Sequence, residues 1–132
     1  MAAATVLCNT GLSIITNRIK GSGTEPAYFA IGTGATGAAR TAAVTDTTLS
    51  SQSGSRVAPG AGVTTAQATT DKTNDTYRVI GSVTAGSTLT YDEIGLFDAS
   101  TSGNMFVSAT ITPISVIAGD TVQFTIKVKF AN

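Results

Sequence analysis

The sequence contains no histidine, no tryptophan and a single cysteine, Cys8. Histidine is the usual base of nucleophilic triads, and zinc sites are built mainly from histidine and cysteine, so neither kind of site can be assembled here. One thiol cannot form a disulfide within the chain. Asp92 and Glu93 are adjacent, so in a strand they would face opposite sides of a sheet and could not act together on one substrate. We therefore predict that the chain is not an enzyme and has no catalytic, cofactor-binding or metal-binding residues.

Charge is also scarce, with 12% charged residues and a formal net charge of +0. A nucleic-acid surface needs a basic stripe, and the chain has no block of Lys or Arg. No segment approaches the roughly 18 uninterrupted apolar residues that would span a membrane, and the stretch MAAATVLCN lacks the features of a signal peptide. We therefore expect a soluble protein that binds neither nucleic acid, nor membranes, nor a small-molecule substrate. A surface rich in Thr, Ser, Ala and Gly is easily covered by another protein.

The stretch YFAIGTGATGAAR contains a glycine motif, because Gly32, Gly34 and Gly37 spell G-x-G-x-x-G after an apolar run. This is the fingerprint of a dinucleotide-binding turn only when a helix follows it and an acidic residue closes a second parallel strand about 20 residues later. The sequence that follows has neither, since it lacks the large apolar positions of a packed helix and Asp46 comes too early. We interpret the glycines as a turn at the end of a strand.

The stretch DASTSGN, from Asp98 to Asn104, imitates the opening of a calcium-binding loop, with oxygen-bearing residues at alternate positions and a glycine sixth. Such a loop needs a bidentate Glu at position twelve. That position falls on Ala109, so the stretch is interpreted as the turn of a β-hairpin.

One short helix is predicted at LSIITNRIKG, where Leu12, Ile15 and Ile19 share a face and Gly21 occupies the position of a C′ glycine. The rest alternates like β-structure, in the stretches AYFAIG, TYRVIGSVTA, STLTYDEIGLFDAS, GNMFVSATIT and TVQFTIKVKF. The last stretch is the clearest, because strict alternation of apolar and polar residues is typical of a half-buried antiparallel strand. We predict one mainly β domain over residues 1–132, an antiparallel β-sandwich or jelly roll with one short N-terminal helix.

Two segments stand apart from this pattern. Residues 1–9, approximately, form an apolar arm that is suited either to joining the sheet edge of a neighbouring subunit or to forming an edge strand of its own domain. Residues 41–74, approximately, contain few large apolar side chains, and they form either a long excursion over the surface or a pair of weak edge strands. A loop of that length in a compact domain is usually functional or mobile.

Several stretches together resemble small virion proteins of tailed bacteriophages. They are ITNRIKGSGTEPAYFAIGTGATG, TDTTL and YDEIGLFDASTSGNMFVSATITPISVIAGDTVQFTIKVKF. The similarity is greatest to capsid cement or decoration proteins, such as that of a short-tailed Bordetella phage. It implies a virion protein, made in the host cytoplasm, that binds the outside of the major capsid protein shell and stabilises it against internal DNA pressure. The alternative is a tail or head fibre component involved in host attachment.

The partners implied by this resemblance are the major capsid protein and further copies of the chain, in a homodimer or small oligomer. The predicted partner interface lies in the arm and in the first half of the 41–74 segment. Its residues are Ala4, Val6, Leu7, Thr47, Leu49 and Arg56.

Overall fold

The structure is a computed structural model that describes residues 2–34 and 41–132. Within these residues, seven strands and one helix follow each other: β1 (Ala2–Leu7), α1 (Asn9–Ile19), β2 (Tyr28–Gly32), β3 (Val63–Ala68), β4 (Thr76–Thr84), β5 (Leu89–Phe97), β6 (Met105–Val116) and β7 (Thr121–Lys129). Four of the five stretches predicted as strands contain a whole strand, and GNMFVSATIT contains the first eight residues of β6, which continues to Val116. Within the described residues, no helix is long and apolar enough to cross a membrane.

The strands form two antiparallel sheets that pack as a β-sandwich. A four-stranded sheet has the order β1-β6-β5-β2, and a three-stranded sheet has the order β3-β4-β7. Neighbouring strands are antiparallel throughout. The predicted fold class is therefore confirmed, and the arrangement is the sandwich.

The inner core lies between the two sheets and is made by alternate residues of both. Phe29 of β2, Val79 of β4 and Ile126 of β7 all belong to it. The rings of Phe29 and Phe124 stack with centroids 5.8 Å apart. Gly81 makes room for this stack, because a Cβ atom there would lie 2.6 Å from Cγ of Phe29. The alternation seen in the last stretch of sequence therefore marks the face of β7 that points into this core.

A second, smaller core covers the opposite face of the four-stranded sheet. Ala30, Phe97 and Met105 lie on that face, and Leu49 packs onto them from the segment between β2 and β3. Leu49 is 6% exposed. Apolar residues of β2 and β5 are buried on both faces, which explains why these strands alternate less clearly than β7.

Helix α1 forms where it was predicted, but the face shared by Leu12, Ile15 and Ile19 is not its most buried face. Leu12 is 54% exposed and Ile19 is 82% exposed, whereas the neighbouring Ile14 is 3% exposed and belongs to the inner core, with Ile15 packed partly against it. The helix turns a glycine toward β6, because a Cβ atom on Gly11 would lie 2.7 Å from the Phe106 carbonyl oxygen. Close packing against this strand, rather than the apolar spacing, selects the buried face.

Glycines with a positive φ lie at turns between these elements. Gly21 follows the helix with φ +85°, and its N–H donates to the Arg18 carbonyl oxygen at 3.0 Å. Gly103 and Gly119, with φ of +71° and +93°, lie in the β5–β6 and β6–β7 connections. These are conformations that glycine adopts without the steric penalty of a side chain.

The arm and the long middle segment both pack against their own domain. The arm is the edge strand β1, which pairs with β6 from Ala2↔Ile111 to Leu7↔Val107. The middle segment contains β3 and, before it, runs along the outer edge of β2. Of the two roles considered for the arm, the structure shows an edge strand of its own domain.

Candidate functional site

The glycine turn after β2 packs against a buried carboxylate of the same chain, that of Glu93 on β5. Gly32 pairs with Glu93 of β5, and Glu93 is 1% exposed. The backbone N–H groups of Ser50 and Ser51 donate to the Glu93 carboxylate at 3.0 and 2.7 Å. A Cβ atom on Gly32 would lie 2.5 Å from Oε1 of Glu93 and 2.6 Å from the Ser51 carbonyl oxygen. Gly32 is therefore needed for this close packing.

The second glycine of the motif has a similar role, and the third lies outside the described residues. Gly34 has φ +63°, and a Cβ atom there would collide with the carboxylate of Asp92. The turn thus packs against two carboxylates of β5, those of Asp92 and Glu93. A dinucleotide-binding turn would instead hold a phosphate beside a helix N-terminus. Gly37 is not described. The described part of the turn supports the structural interpretation of these glycines.

Arg56 connects the middle segment to the β5–β6 hairpin. Its guanidinium lies over the Phe97 ring, 3.4 Å from the centroid. Nη1 donates to the carbonyl oxygens of Ala99 and Ser102 at 2.8 and 2.6 Å. Partial burial lowers the pKa of Arg56 from its ordinary value, and the nearby Asp98 carboxylate opposes that change. The side chain is therefore committed to contacts within its own chain.

The stretch from Asp98 to Asn104 is the hairpin turn that was predicted. Oδ1 of Asp98 accepts the N–H of Asn104 at 2.7 Å, and the Asp98 N–H donates to the Asn104 carbonyl oxygen at 3.2 Å. The carboxylate thus stabilises the turn. Across the described residues, no group of three or more potential side-chain metal ligands is found.

An apolar groove of about 480 Å³ opens beside α1, between the two sheets. Its floor includes Tyr77 and Phe106, whose rings meet edge to face with centroids 6.0 Å apart. Ile19 and Phe130 lie at its rim and are 82% and 50% exposed. Exposed large apolar side chains gathered around a concave surface are typical of a contact site.

The polar groups of this groove are held by local hydrogen bonds. The Tyr77 hydroxyl lies 3.0 Å from Oε1 of Glu25 and 3.1 Å from the Pro26 carbonyl oxygen. Burial raises the pKa of Tyr77 well above its ordinary value, and the Glu25 carboxylate raises it further. Arg18 donates to the Gly23 carbonyl oxygen at 2.9 Å. The Tyr77 hydroxyl thus stays protonated.

Comparison with known proteins supplies the family. A family model described as Podophage GP4 fiber I protein gp80 matches residues 3–128. The chain belongs to this family. Searches of curated proteins and of solved structures found no significant match.

Membership of the podophage fiber I family makes the chain a phage structural protein, as the resemblance implied. The family is named for a fibre rather than for a capsid cement protein. The match therefore agrees with a fibre component, the alternative expectation, at least as well as with a capsid cement protein.

The six residues predicted to form an interface lie in β1 and in the middle segment of this fiber I family member. Ala4 pairs through its backbone with Thr110, Val6 with Ser108, and Leu7 both pairs with Val107 and packs against the inner core. The remaining residues lie in the middle segment. Thr47 is exposed, Leu49 is buried in the second core, and Arg56 lies on Phe97.

Three of the six residues, Leu7, Leu49 and Arg56, contact side chains of their own domain. The middle segment uses Leu49 and Arg56 to cover its own sheet, so these two side chains are occupied within the chain. The apolar groove was not found from the sequence. Its only sequence signal was the excess of apolar residues on α1, where Leu12 and Ile19 remain exposed although Ile14 is buried.

Proposed function

We propose that the chain is a subunit of a fibre on a podophage virion, where it contributes to attachment of the particle to its host. The observation that carries this proposal is the match of residues 3–128 to the podophage fiber I family. A virion fibre needs stable subunits that contact other proteins, and a β-sandwich with an exposed apolar groove suits that need.

Labelling of intact particles tests the location of the chain. Antibodies raised against the purified chain, visualised by gold labelling in the electron microscope, should decorate projecting fibres at a small number of positions. An excess of the purified chain should also slow adsorption of the phage to its host by competing for the receptor. Uniform labelling over the head together with unchanged adsorption would contradict the fibre assignment.

A second candidate function is the capsid cement role, in which the chain binds the major capsid protein and strengthens the shell. It is supported by the low charge of the chain, 12% of residues with a net charge of +0, which leaves a neutral surface that other subunits can cover. The copy number per particle separates the two candidates. A number equal to that of the major capsid protein, or a simple fraction of it, favours cement, whereas a few copies per particle favour the fibre.

A further inference from the structure

The two sheets have four edge strands, which are β1, β2, β3 and β7. They differ in how far other parts of the chain cover their outer edges. The outer edge of β2 is covered by the middle segment, because Phe29 and Val57 exchange backbone hydrogen bonds of 3.0 and 2.8 Å. Strand β7 lies at an edge of the three-stranded sheet and has nine residues without glycine or proline. Among residues 2–34 and 41–132, no partner bonds to the outer edge of β7. A long, regular and open edge strand is a template for pairing with another strand.

The direction of the backbone groups on β7 follows from the bonds at its two ends. The Phe130 N–H donates to the Asp75 carbonyl oxygen, and the Ala85 N–H donates to the Asp120 carbonyl oxygen, both at 2.8 Å. In an antiparallel pair, alternate residues bond to the same neighbour. Even-numbered residues of β7 therefore bond to β4. The backbone groups of Thr121, Gln123, Thr125, Lys127 and Lys129 point out of the sheet.

We propose that β7 pairs antiparallel with β7 of a second copy of this chain, across a two-fold axis at Thr125. An axis at Thr125, the central residue of the strand, lets all five residues whose backbone groups point outward form hydrogen-bonded pairs, whereas an axis at Phe124 or Ile126 would pair only four of them. This register pairs Gln123 with Lys127 of the second copy, and Thr121 with Lys129. All nine residues then take part, and about ten new backbone hydrogen bonds form.

Charge disfavours the alternative register with the axis at Lys127. An axis at Lys127 would place two ammonium groups directly opposite each other, which is destabilising. With the axis at Thr125, both lysines face neutral residues, and the two copies of Lys127 are separated by roughly 14 Å along the strands. That separation exceeds the Debye length of about 8 Å at physiological salt. Lys129 is also held by an ion pair with Asp71.

The apolar inner face of β7 would meet the same face of the second copy across the two-fold axis. Val122, Phe124 and Val128 are half-buried in the single chain. In the proposed register, Phe124 lies opposite Ile126 of the second copy, and Val122 lies opposite Val128. These are the non-hydrogen-bonded positions, where side chains approach most closely. Pairing would thus join two three-stranded sheets into one six-stranded sheet with a continuous apolar face.

The other open edges are less suited to such pairing. The pairing of β1 with β6 is irregular between Ala2 and Ala4, and irregular edges resist addition of a strand. Strand β3 has six residues, and the Val63 carbonyl oxygen at its start already accepts the Gly60 N–H at 3.0 Å. The β7 edge is therefore the one that we assign to the second copy.

A pair of cysteine variants tests the register. Opposed Thr125 residues would have Cα atoms about 5.5 Å apart, which is within the range that a disulfide bridges. The Thr125→Cys variant should therefore form a covalent dimer rapidly under mild oxidation. Thr121→Cys is the matched control, because its two copies would be roughly 27 Å apart along the strands. Both positions are exposed, and the native Cys8 is buried. Equal rates for the two variants, or no dimer from Thr125→Cys, would overturn the proposal.

Charge variants at Gln123 provide a second test, by sedimentation equilibrium of the full chain. Gln123→Lys places a lysine opposite Lys127 twice per dimer, and we expect it to weaken association about tenfold. Gln123→Glu should strengthen association. Thr64→Lys makes the same change on β3 and should leave association unchanged. Circular dichroism checks that each variant folds. A chain that stays monomeric at all concentrations, or that responds equally to Gln123→Lys and Thr64→Lys, overturns the proposal. These outcomes do not depend on where in the virion the chain lies.

Discussion

Gly32 and Glu93 lie opposite each other on β2 and β5, on the face that the middle segment covers. The Glu93 carboxylate accepts two backbone N–H groups from that segment, at Ser50 and Ser51. Hydrogen bonds to a charged group contribute about 1.5–3 kcal/mol each, and a buried group that loses its partners costs a similar amount. The side chain of Glu93 fits only because Gly32 has none, so the two residues act as a unit that fastens the segment to the sheet.

We predict that Gly32→Ala destabilises the fold by about 1–3 kcal/mol, as for other overpacked sites, because the added methyl group meets the Glu93 carboxylate and a backbone carbonyl oxygen. Urea denaturation monitored by circular dichroism measures the change. Gly86→Ala is the matched control, since an added Cβ atom there meets nothing within 4 Å, and it should be neutral. Equal stability of both variants would show that the Gly32 position tolerates a side chain.

The sequence could show that these glycines are structural but not what they pack against. In the sequence, the lack of a helix pattern and of the acidic residue at the right distance argued against a nucleotide site. Glu93 lies far along the chain, and nothing near it indicates a buried carboxylate. The contact of Arg56 with Phe97 was likewise not predicted, since it depends on how the middle segment folds back. A contact between one polar residue and a residue far along the chain cannot be derived from the pattern of neighbouring residues in the sequence.

The hairpin that joins β3 and β4 is closed by Asp75. Its carboxylate accepts the backbone N–H groups of Lys72, Asp71 and Thr70 at 3.0, 2.9 and 2.8 Å, and the Thr76 hydroxyl at 2.9 Å. The N–H groups of Lys72 and Asp71 contribute most to holding the pKa of Asp75 well below its ordinary value. A carboxyl with a lowered pKa in the folded state stabilises the fold above its unfolded pKa of about 3.9, and this stabilisation is lost as the pH falls.

We predict that Asp75→Asn lowers the Tm at pH 7 and reduces the loss of Tm between about pH 5 and pH 2, because the wild type alone must protonate this carboxylate. Thermal unfolding followed by circular dichroism over that pH range measures both effects. Asp120→Asn is the control in the β6–β7 turn, where the carboxylate accepts one backbone N–H, from Ile117. Its Tm loss at pH 7 should be smaller. Parallel pH profiles for the wild type and Asp75→Asn would contradict the assignment.

Strand β1 is part of the four-stranded sheet, although the sequence left open whether it reaches a neighbour. Leu7 packs against the inner core, and the adjacent Cys8 is fully buried. We predict that deletion of residues 1–7 gives a chain that aggregates or unfolds, because it exposes the long edge of β6. Gel filtration and circular dichroism test this. Removal of the exposed residues 131–132 is the control and should have no effect. A folded, monomeric chain after the first deletion would show that β1 is dispensable.

Among the helix and the strands, the sequence predicted those elements whose own residues show a clear pattern of apolar and polar side chains. β7 is half-buried on one side only, so its alternation marks the strand and its inner face. β3 lies in the segment of residues 41–74 and has little apolar alternation, because only Val63 among its residues is fully buried. The apolar spacing of α1 does not mark its buried side, because Gly11 packs tightly against β6 and turns Leu12 and Ile19 outward.

The charges of the whole molecule balance, with eight basic and eight acidic residues. The proposed β7 pairing adds no ion pair between copies, since its lysines face Gln123 and Thr121. We therefore predict that the dissociation constant of the dimer changes less than about threefold between roughly 0.05 and 0.5 M NaCl, because salt screens only charged contacts. Sedimentation equilibrium across this range gives the measurement. The Gln123→Glu variant is the internal control, because its new pairs with Lys127 should weaken as salt rises. A steep salt dependence in the wild type would mean that charged surfaces, rather than the β7 edge, hold the copies together.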